Sequence, residues 1–158
     1  MSHDNREYLL QTVRNMLRTE KMYVPVLANV AAFLYEQLND VNWVGFYLLH
    51  EGSLLLGPFA GKPACVRIPF GKGVCGKAVA LRNTQRVDDV SIFPGHIACD
   101  DQSKSEIVIP IVVENKVYGV LDIDSPKKGR FTPEDQKDLE ELVILLQSSV
   151  NWVAHNLS

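Results

Sequence analysis

Two β-hairpin patterns in the middle of the chain constrain the fold more than any other feature of the sequence. Residues 41–49 and 53–59 are rich in aromatic and aliphatic side chains, and Glu51-Gly52 between them is a pair typical of a tight turn. Residues 107–113 and 117–124 repeat this arrangement around a second short turn. Because hairpins join antiparallel strands, the sequence predicts an antiparallel sheet.

Helical patterns lie on both sides of this strand-rich middle. Apolar side chains recur at helical spacing over residues 9–17 and 26–38. Residues 132–135 (TPED) are typical of a helix start, with a capping threonine, a proline at the first position and two acids in the first turn. An apolar face follows over residues 139–153. The predicted class is α+β, with the N- and C-terminal helices packed on one face of a central sheet.

Length and charge exclude several classes of protein. A chain of 158 residues suits one domain, so residues 1–158 are predicted to form a single one. The net charge of −3 does not favour a nucleic-acid partner, and the apolar runs are far shorter than the roughly 20 residues that span a bilayer. The N-terminus is too polar for a targeting signal. We therefore expect a cytoplasmic protein that binds neither nucleic acid nor membrane.

The alternation of side chains along a strand places several polar and aromatic groups on one face of the sheet. Trp43 and Tyr47 share a face of the first strand, and Tyr118, Asp122 and Asp124 share a face of the last. The aliphatic side chains between them point the other way, toward the predicted helices. The remaining face combines rings with carboxylates, which favours a ligand pocket rather than an open solvated surface.

The acids of this face point to a cationic ligand. Asp122 and Asp124 lie about 7 Å apart along the strand, and Glu106 begins the neighbouring one. Neighbouring carboxylates repel one another unless a proton or a cation lies between them, and either an ammonium group or a metal ion meets that requirement. Two simpler interpretations stay open: the aspartates end the strand as exposed turn residues, and Trp43 and Tyr47 are ordinary core residues.

Three cysteines lie in the middle third of the chain, at positions 65, 75 and 99. No Cys-x-x-Cys pair is present, so the spacing does not favour a structural zinc site. Cys99 lies in a predicted loop near His96, which is either a base or a surface residue. Cys75 precedes a short helix predicted at 77–81, whose amides would favour a thiolate. Redox chemistry and inert burial are both open, and spacing does not identify the activated thiol.

Residues 71–76 (GKGVCG) contain glycines at the spacing of a dinucleotide-binding loop. No long buried strand precedes them, and no acidic partner follows in a βαβ frame. We therefore predict a loop at this point of the chain and no dinucleotide site.

Seven segments together resemble one family of enzymes. They are 42–47 (NWVGFY), 57–59 (GPF), 61–68 (GKPACVRI), 71–76 (GKGVCG), 93–100 (FPGHIACD), 103–108 (SKSEIV) and 119–126 (GVLDIDSP). In these segments the chain resembles the free methionine-R-sulfoxide reductases, which are built on a GAF domain. The resemblance covers essentially the whole chain and includes all three cysteines of the family.

The resemblance implies a fold and an activity. It implies a single GAF domain whose ligand pocket lies on the sheet face opposite the terminal helices, and reduction of free L-methionine-(R)-sulfoxide to methionine. Cys99 matches the attacking cysteine, which becomes a sulfenic acid, Cys65 the main resolving cysteine and Cys75 an additional one. Thioredoxin then reduces the intramolecular disulfide. No metal, flavin or nicotinamide cofactor is implied, and the family is usually dimeric.

The resemblance also assigns the substrate contacts. Glu106, Asp122 and Asp124 match the acidic contacts, with Glu106 as the expected proton donor, and Trp43 and Tyr47 match the aromatic ones. We further expect the loops at 60–75 and 89–103 to rearrange between redox states. The competing hypothesis is a GAF sensor that binds a small amine or nucleotide without turnover and is indifferent to the loss of its thiols.

Overall fold

One sheet of six antiparallel strands forms the centre of the computed structural model, which describes residues 3–156. The strand order is β3-β2-β1-β6-β5-β4, and every neighbouring pair is antiparallel. The strands are β1 Trp43–His50, β2 Ser53–Gly61, β3 Arg67–Pro69, β4 Gln85–Val87, β5 Ser105–Val113 and β6 Lys116–Ser125. The predicted α+β class and antiparallel sheet are confirmed.

Helices cover both faces of the sheet unequally. Three long helices, α1 His3–Thr19, α2 Tyr23–Gln37 and α4 Pro133–Ser149, share a large apolar core with one face, and the short α5 Val153–Asn156 follows α4. The other face carries α3 Gly73–Leu81 and a smaller core. Among residues 3–156, no helix has both the length and the apolar character needed to cross a membrane.

Both predicted hairpin turns are present. Glu51 and Gly52 have positive φ angles of 47° and 78°, and Glu114 and Asn115 have φ angles of 50° and 66°. Two consecutive residues with positive φ form the turn whose twist matches that of the flanking strands. The predicted helix cap at Thr132 is also confirmed, because its hydroxyl accepts a hydrogen bond from the backbone N–H of Asp135 in the first turn of α4.

The predicted face of Tyr118 is wrong. Its ring lies in the helix-side core with Trp152, whereas Val120 lies on the opposite face of the sheet. The reason is an irregular register, in which Ile111 pairs with Gly119 but Val112 pairs with Val117. The extra residue in β6 is a β-bulge, and it reverses the alternation of side chains at that point of the strand.

The helix predicted at 77–81 begins earlier than expected, at Gly73. Gly71 and Gly73 have φ angles of 78° and 65°, a conformation that glycine adopts without strain. A Cβ on Gly76 would lie 2.9 Å from the backbone carbon of Gly71. The glycines therefore fold the chain tightly into α3, and Cys75 lies inside the first turn of the helix rather than before it.

A substitution at Gly45 tests how tightly the smaller core is packed. A Cβ at this position would lie 2.4 Å from the ring of Trp43 and 2.5 Å from Cβ of Phe59. We expect Gly45→Ala to destabilise the protein by about 1–3 kcal/mol, because the indole has to move. Chemical denaturation followed by tryptophan fluorescence checks this.

Gly52→Ala is the matched control for Gly45→Ala. Gly52 has a positive φ but nothing within 4 Å of an added Cβ, so this variant carries backbone strain alone. Its folded-state fluorescence should match the wild type, while that of Gly45→Ala should shift. Identical spectra for the two variants would contradict the tight packing of Trp43.

Candidate functional site

The register of three neighbouring strands aligns the key side chains in one row. Trp43 of β1 pairs with Asp124 of β6, and Asp124 pairs with Glu106 of β5. Paired residues in an antiparallel sheet have Cβ atoms about 4.5–5.5 Å apart. The row therefore brings an indole and two carboxyl groups together on the face away from the long helices, and Glu106 joins the aspartates as predicted.

Asp122 lies two residues before Asp124 on the same face of β6, and its carboxyl group contacts the thiol of Cys75. It pairs with Gly45 on one side and with Val108 on the other. The thiol of Cys75, delivered by α3, donates a hydrogen bond to Oδ2 of Asp122 at 3.4 Å. Asp122 is only 4% exposed, so the interpretation of this residue as an exposed strand end is wrong.

An aromatic stack forms one wall of the site. The ring of Trp43 lies between those of Phe59 and Tyr47, at centroid distances of 5.4 Å and 5.8 Å. The indole N–H donates to the carbonyl of Lys62 at 3.1 Å, and the Tyr47 hydroxyl donates to the carbonyl of Cys65 at 2.9 Å. The stack thus contacts the loop between β2 and β3 through both polar groups.

A disulfide joins Cys65 and Cys99, whose Cα atoms lie 5.5 Å apart. Cys65 belongs to the loop between β2 and β3, and Cys99 to the long loop between β4 and β5. Both cysteines are half-buried. Of the two possible partners of Cys99, the structure therefore joins Cys65, and Cys75 remains a free, buried thiol.

One cavity brings most of these groups together. Its walls include all but one of the residues that the resemblance assigned to the site, namely Trp43, Tyr47, Cys75, Cys99, Glu106, Asp122 and Asp124. The exception is Cys65, which is bonded to Cys99 in the cavity wall. His96 also lines the cavity, and burial lowers the pKa of its ring, which favours a neutral imidazole.

The three acids are held in conditions that favour protonation. Burial raises the pKa of Glu106 well above its ordinary value, and the negative charge of Asp122 raises it further. Burial also raises the pKa of Asp122 and of Asp124, each with a further contribution from a neighbouring carboxylate. Oδ1 of each aspartate is buried and has no hydrogen-bond partner among residues 3–156. The cluster therefore binds either protons or a cation.

Cys75 differs from the sequence prediction in its chemistry as well as its position. Burial raises the pKa of its thiol well above the ordinary value, and the charge of Asp122 raises it further. These effects outweigh the helix N-terminus that the sequence analysis expected to favour a thiolate. Cys75 fills part of the smaller core and is a neutral thiol in this state.

A metal ion is a second cation that the cluster could hold. The Sγ atom of Cys75 and carboxylate oxygens of Glu106 and Asp122 all lie within 4.8 Å of one another. One thiolate and two carboxylates form a donor set that a divalent transition-metal ion accepts. An ammonium group fits the same carboxylates without needing the thiolate.

Asn42 is a site residue that the sequence analysis did not select. Its side-chain amide donates to Oδ2 of Asp100 and to the hydroxyl of Ser103, both at 3.2 Å. These contacts tie the chain just after Cys99 to the start of β1. The available signal was its position directly before Trp43, within a segment that already carried the family resemblance.

Comparison with known proteins identifies relatives that match most of the chain. The GAF domain family matches residues 9–150. The chain is 57% identical over 132 residues to the free methionine-R-sulfoxide reductase of Escherichia coli (strain K12), covering 84% of this chain and 80% of that protein. It is 42% identical over 151 residues to the enzyme of the same name from Saccharomyces cerevisiae, covering 90% and 84%.

Two solved structures share the fold closely. The reduced form of fRMsr of Staphylococcus aureus has a TM-score of 0.90 at 49% identity, covering 92% of this chain and 95% of that one. Free methionine-R-sulfoxide reductase from Neisseria meningitidis, in complex with its substrate, has a TM-score of 0.91 at 39% identity, covering 99% and 95%.

The buried acids predict an unusual dependence of stability on pH. Raised pKa values mean that the folded protein binds more protons than the unfolded chain above the ordinary carboxyl pKa, so stability falls as pH rises through that window. We expect Asp122→Asn to raise the free energy of unfolding by about 1 kcal/mol near pH 8, because an amide replaces a repelling charge. Urea denaturation of ligand-free protein at several pH values measures this.

The advantage of Asp122→Asn should shrink as the pH falls toward the ordinary carboxyl pKa, where the unfolded chain also takes up protons. Asp88→Asn is the matched control, because that side chain is 70% exposed and should show no such trend. A variant that is less stable than the wild type near pH 8 would contradict the assignment of repelling buried charges.

Proposed function

The chain belongs to the GAF-domain family of free methionine-R-sulfoxide reductases, and we propose that it reduces free L-methionine-(R)-sulfoxide to methionine with its cysteines as electron donors. The observation that carries this proposal is the shared cavity: the Cys65–Cys99 disulfide opens on the same space as the buried acids and the aromatic stack. Substrate recognition and thiol chemistry thus meet at one place.

The substrate's ammonium group fits the acidic end of the cavity. Oδ1 of Asp122 and Oδ1 of Asp124 are buried acceptors that need a donor. An ammonium supplies three N–H donors and a positive charge, and charge-assisted hydrogen bonds are stronger than neutral ones. Binding also removes the repulsion between the two carboxylates. A methionine sulfoxide residue within a peptide lacks this ammonium, which explains a preference for the free amino acid.

The sulfoxide end then lies toward the aromatic wall and Cys99. The ring of Trp43 contacts the S-methyl group, whose partial positive charge is attracted by an aromatic ring. Cys99 lines the same cavity, so reduction of its disulfide frees a thiol within reach of the substrate sulfur. The aromatic and acidic ends together orient one substrate epimer.

The first step transfers one oxygen atom and two electrons. The Cys99 thiolate attacks the sulfoxide sulfur, the S–O bond breaks, and the oxygen passes to Cys99 as a sulfenic acid while methionine leaves. One proton is needed at the oxygen during this transfer. Glu106 supplies it, because burial raises the pKa of its carboxyl group and so favours the protonated form.

The second step forms the disulfide that the structure contains. The Cys65 thiolate attacks the sulfenic sulfur of Cys99, and the oxygen leaves as water with the second proton. A dithiol of low potential, thioredoxin, then reduces the disulfide and restores both thiols. The loops at 60–75 and 89–103 rearrange between these states, because substrate has to reach Cys99 before Cys65 does. Cys75 is the additional resolving thiol.

A coupled assay tests the activity directly. With thioredoxin, thioredoxin reductase and NADPH, we expect NADPH consumption with free methionine-R-sulfoxide and little with the S-epimer or an N-acetylated R-substrate. The N-acetylated compound keeps the sulfoxide but loses the ammonium, so it isolates the role of the acids. Equal rates with the free and N-acetylated substrates would contradict the proposed binding mode.

Cys99→Ser is expected to abolish turnover, because serine cannot form a sulfenic acid. Cys65→Ser should still release about one equivalent of methionine per protein in a single turnover, since it keeps the attacking thiol. Quantifying methionine after mixing reduced protein with substrate distinguishes the two variants. One equivalent from Cys99→Ser would place the attacking thiol elsewhere.

Glu106→Gln tests the proton donor. We expect its kcat to fall by about 100-fold or more, the usual contribution of a general acid. Because the wild type needs the protonated carboxyl group, its rate should fall as pH rises through the raised pKa of Glu106, and the variant should lose this dependence. Glu51→Gln, at an exposed turn position, is the control. An unchanged alkaline limb in Glu106→Gln would exclude Glu106 as the donor.

A further inference from the structure

We propose that Tyr47 is a positioning residue for disulfide formation, whose hydroxyl group holds the Cys65 loop in place against Cys99. This inference deepens the proposed function and rests on it for its place in the catalytic cycle. The ring and the hydroxyl of Tyr47 have separate roles. The ring forms part of the cavity wall, and the hydroxyl hydrogen-bonds the loop that carries Cys65.

The contact is built into the rigid centre of the fold. Tyr47 lies on β1, a central strand with neighbours on both sides, and only 2% of the residue is exposed. Its hydroxyl donates to the backbone carbonyl of Cys65 itself at 2.9 Å. Burial raises the pKa of the phenol, and the charge of Asp122 raises it further, so the group remains a donor.

In the disulfide state, two further contacts hold the same loop, which covers residues 62–66. The indole N–H of Trp43 donates to the carbonyl of Lys62 at 3.1 Å. The backbone N–H of Leu56 donates to the carbonyl of Val66 at 2.9 Å. The loop is therefore bonded to the sheet near both ends and at Cys65, which fixes the direction from which Cys65 approaches.

The Cys99 loop is tied to the same strand. Asn42, just before β1, donates to Asp100 and Ser103. The two halves of the disulfide are thus held by side chains only five positions apart in the sequence, Tyr47 on β1 and Asn42 directly before it. Such a frame raises the effective concentration of Cys65 at Cys99, which sets both the rate of disulfide formation and its equilibrium.

The equilibrium between the disulfide and a reference dithiol tests this inference without any substrate. All proteins carry Cys75→Ser, so that only the Cys65–Cys99 bond can form. The protein disulfide is equilibrated with reduced and oxidised dithiothreitol, and the protein forms are separated by mass after alkylation. We expect Tyr47→Phe to make the disulfide about fivefold easier to reduce, as the loss of one net hydrogen bond predicts.

Tyr118→Phe is the matched control, because it removes a phenol hydroxyl from β6 on the other face of the sheet. Its equilibrium should stay within twofold of the parent protein. Loss of general stability shifts the folded oxidised and reduced forms together, so only a positioning role changes this ratio. A Tyr47→Phe equilibrium within twofold of the parent would overturn the proposal.

A second variant and a kinetic readout complete the test. Trp43→Phe removes the hydrogen bond to Lys62 and should shift the equilibrium in the same direction, which provides a result even where Tyr47→Phe does not fold.

In single turnovers with methionine-R-sulfoxide, dimedone should trap more Cys99 sulfenic acid in Tyr47→Phe than in the parent protein, relative to the methionine released. Absence of any methionine release would contradict the proposed function, whereas the equilibrium would still decide the role of Tyr47.

Discussion

Three carboxyl groups buried side by side are the constraint on which the rest of the site depends. The pairing of β1, β6 and β5 places Glu106 beside Asp124, and Asp122 follows one row away on the same face. Burial and mutual repulsion make these groups unfavourable as free anions, so they hold protons or a cation. One electrostatic condition therefore supports both roles proposed for the cluster, binding of an ammonium group and donation of a proton near Cys99.

Strand β1 organises the sulfur chemistry around these acids. Trp43 and Tyr47 of this strand hydrogen-bond the loop that carries Cys65, and Asn42, directly before the strand, hydrogen-bonds the loop that carries Cys99. Loops move more readily than strands, so a redox centre carried by two loops gains its geometry from the sheet beneath it. Trp43 and Tyr47 thus line the cavity and also hydrogen-bond the loop that carries one half of the disulfide.

Much of this site could be predicted from the alternation of side chains along two hairpins. Tight turns fix the register of antiparallel strands, so Trp43, Tyr47, Asp122 and Asp124 were expected on one face, and the structure confirms it. The same rule failed for Tyr118, because a β-bulge adds one residue and reverses the alternation. Bulges leave little trace in the side-chain pattern, since their cause lies in backbone pairing with another strand.

The hairpin strands, their turns and the shared face of Trp43, Tyr47, Asp122 and Asp124 could be predicted from the sequence, because they follow from local propensity and from a period of two residues. Which cysteines meet depends on the packed chain, since Cys65 and Cys99 are 34 residues apart and lie in loops without a periodic pattern. The tertiary structure also decided that Cys75 is a buried neutral thiol, because the packing of α3 on the sheet sets its burial and its distance from Asp122. Burial and proximity are properties of the packed chain, and no local pattern encodes them.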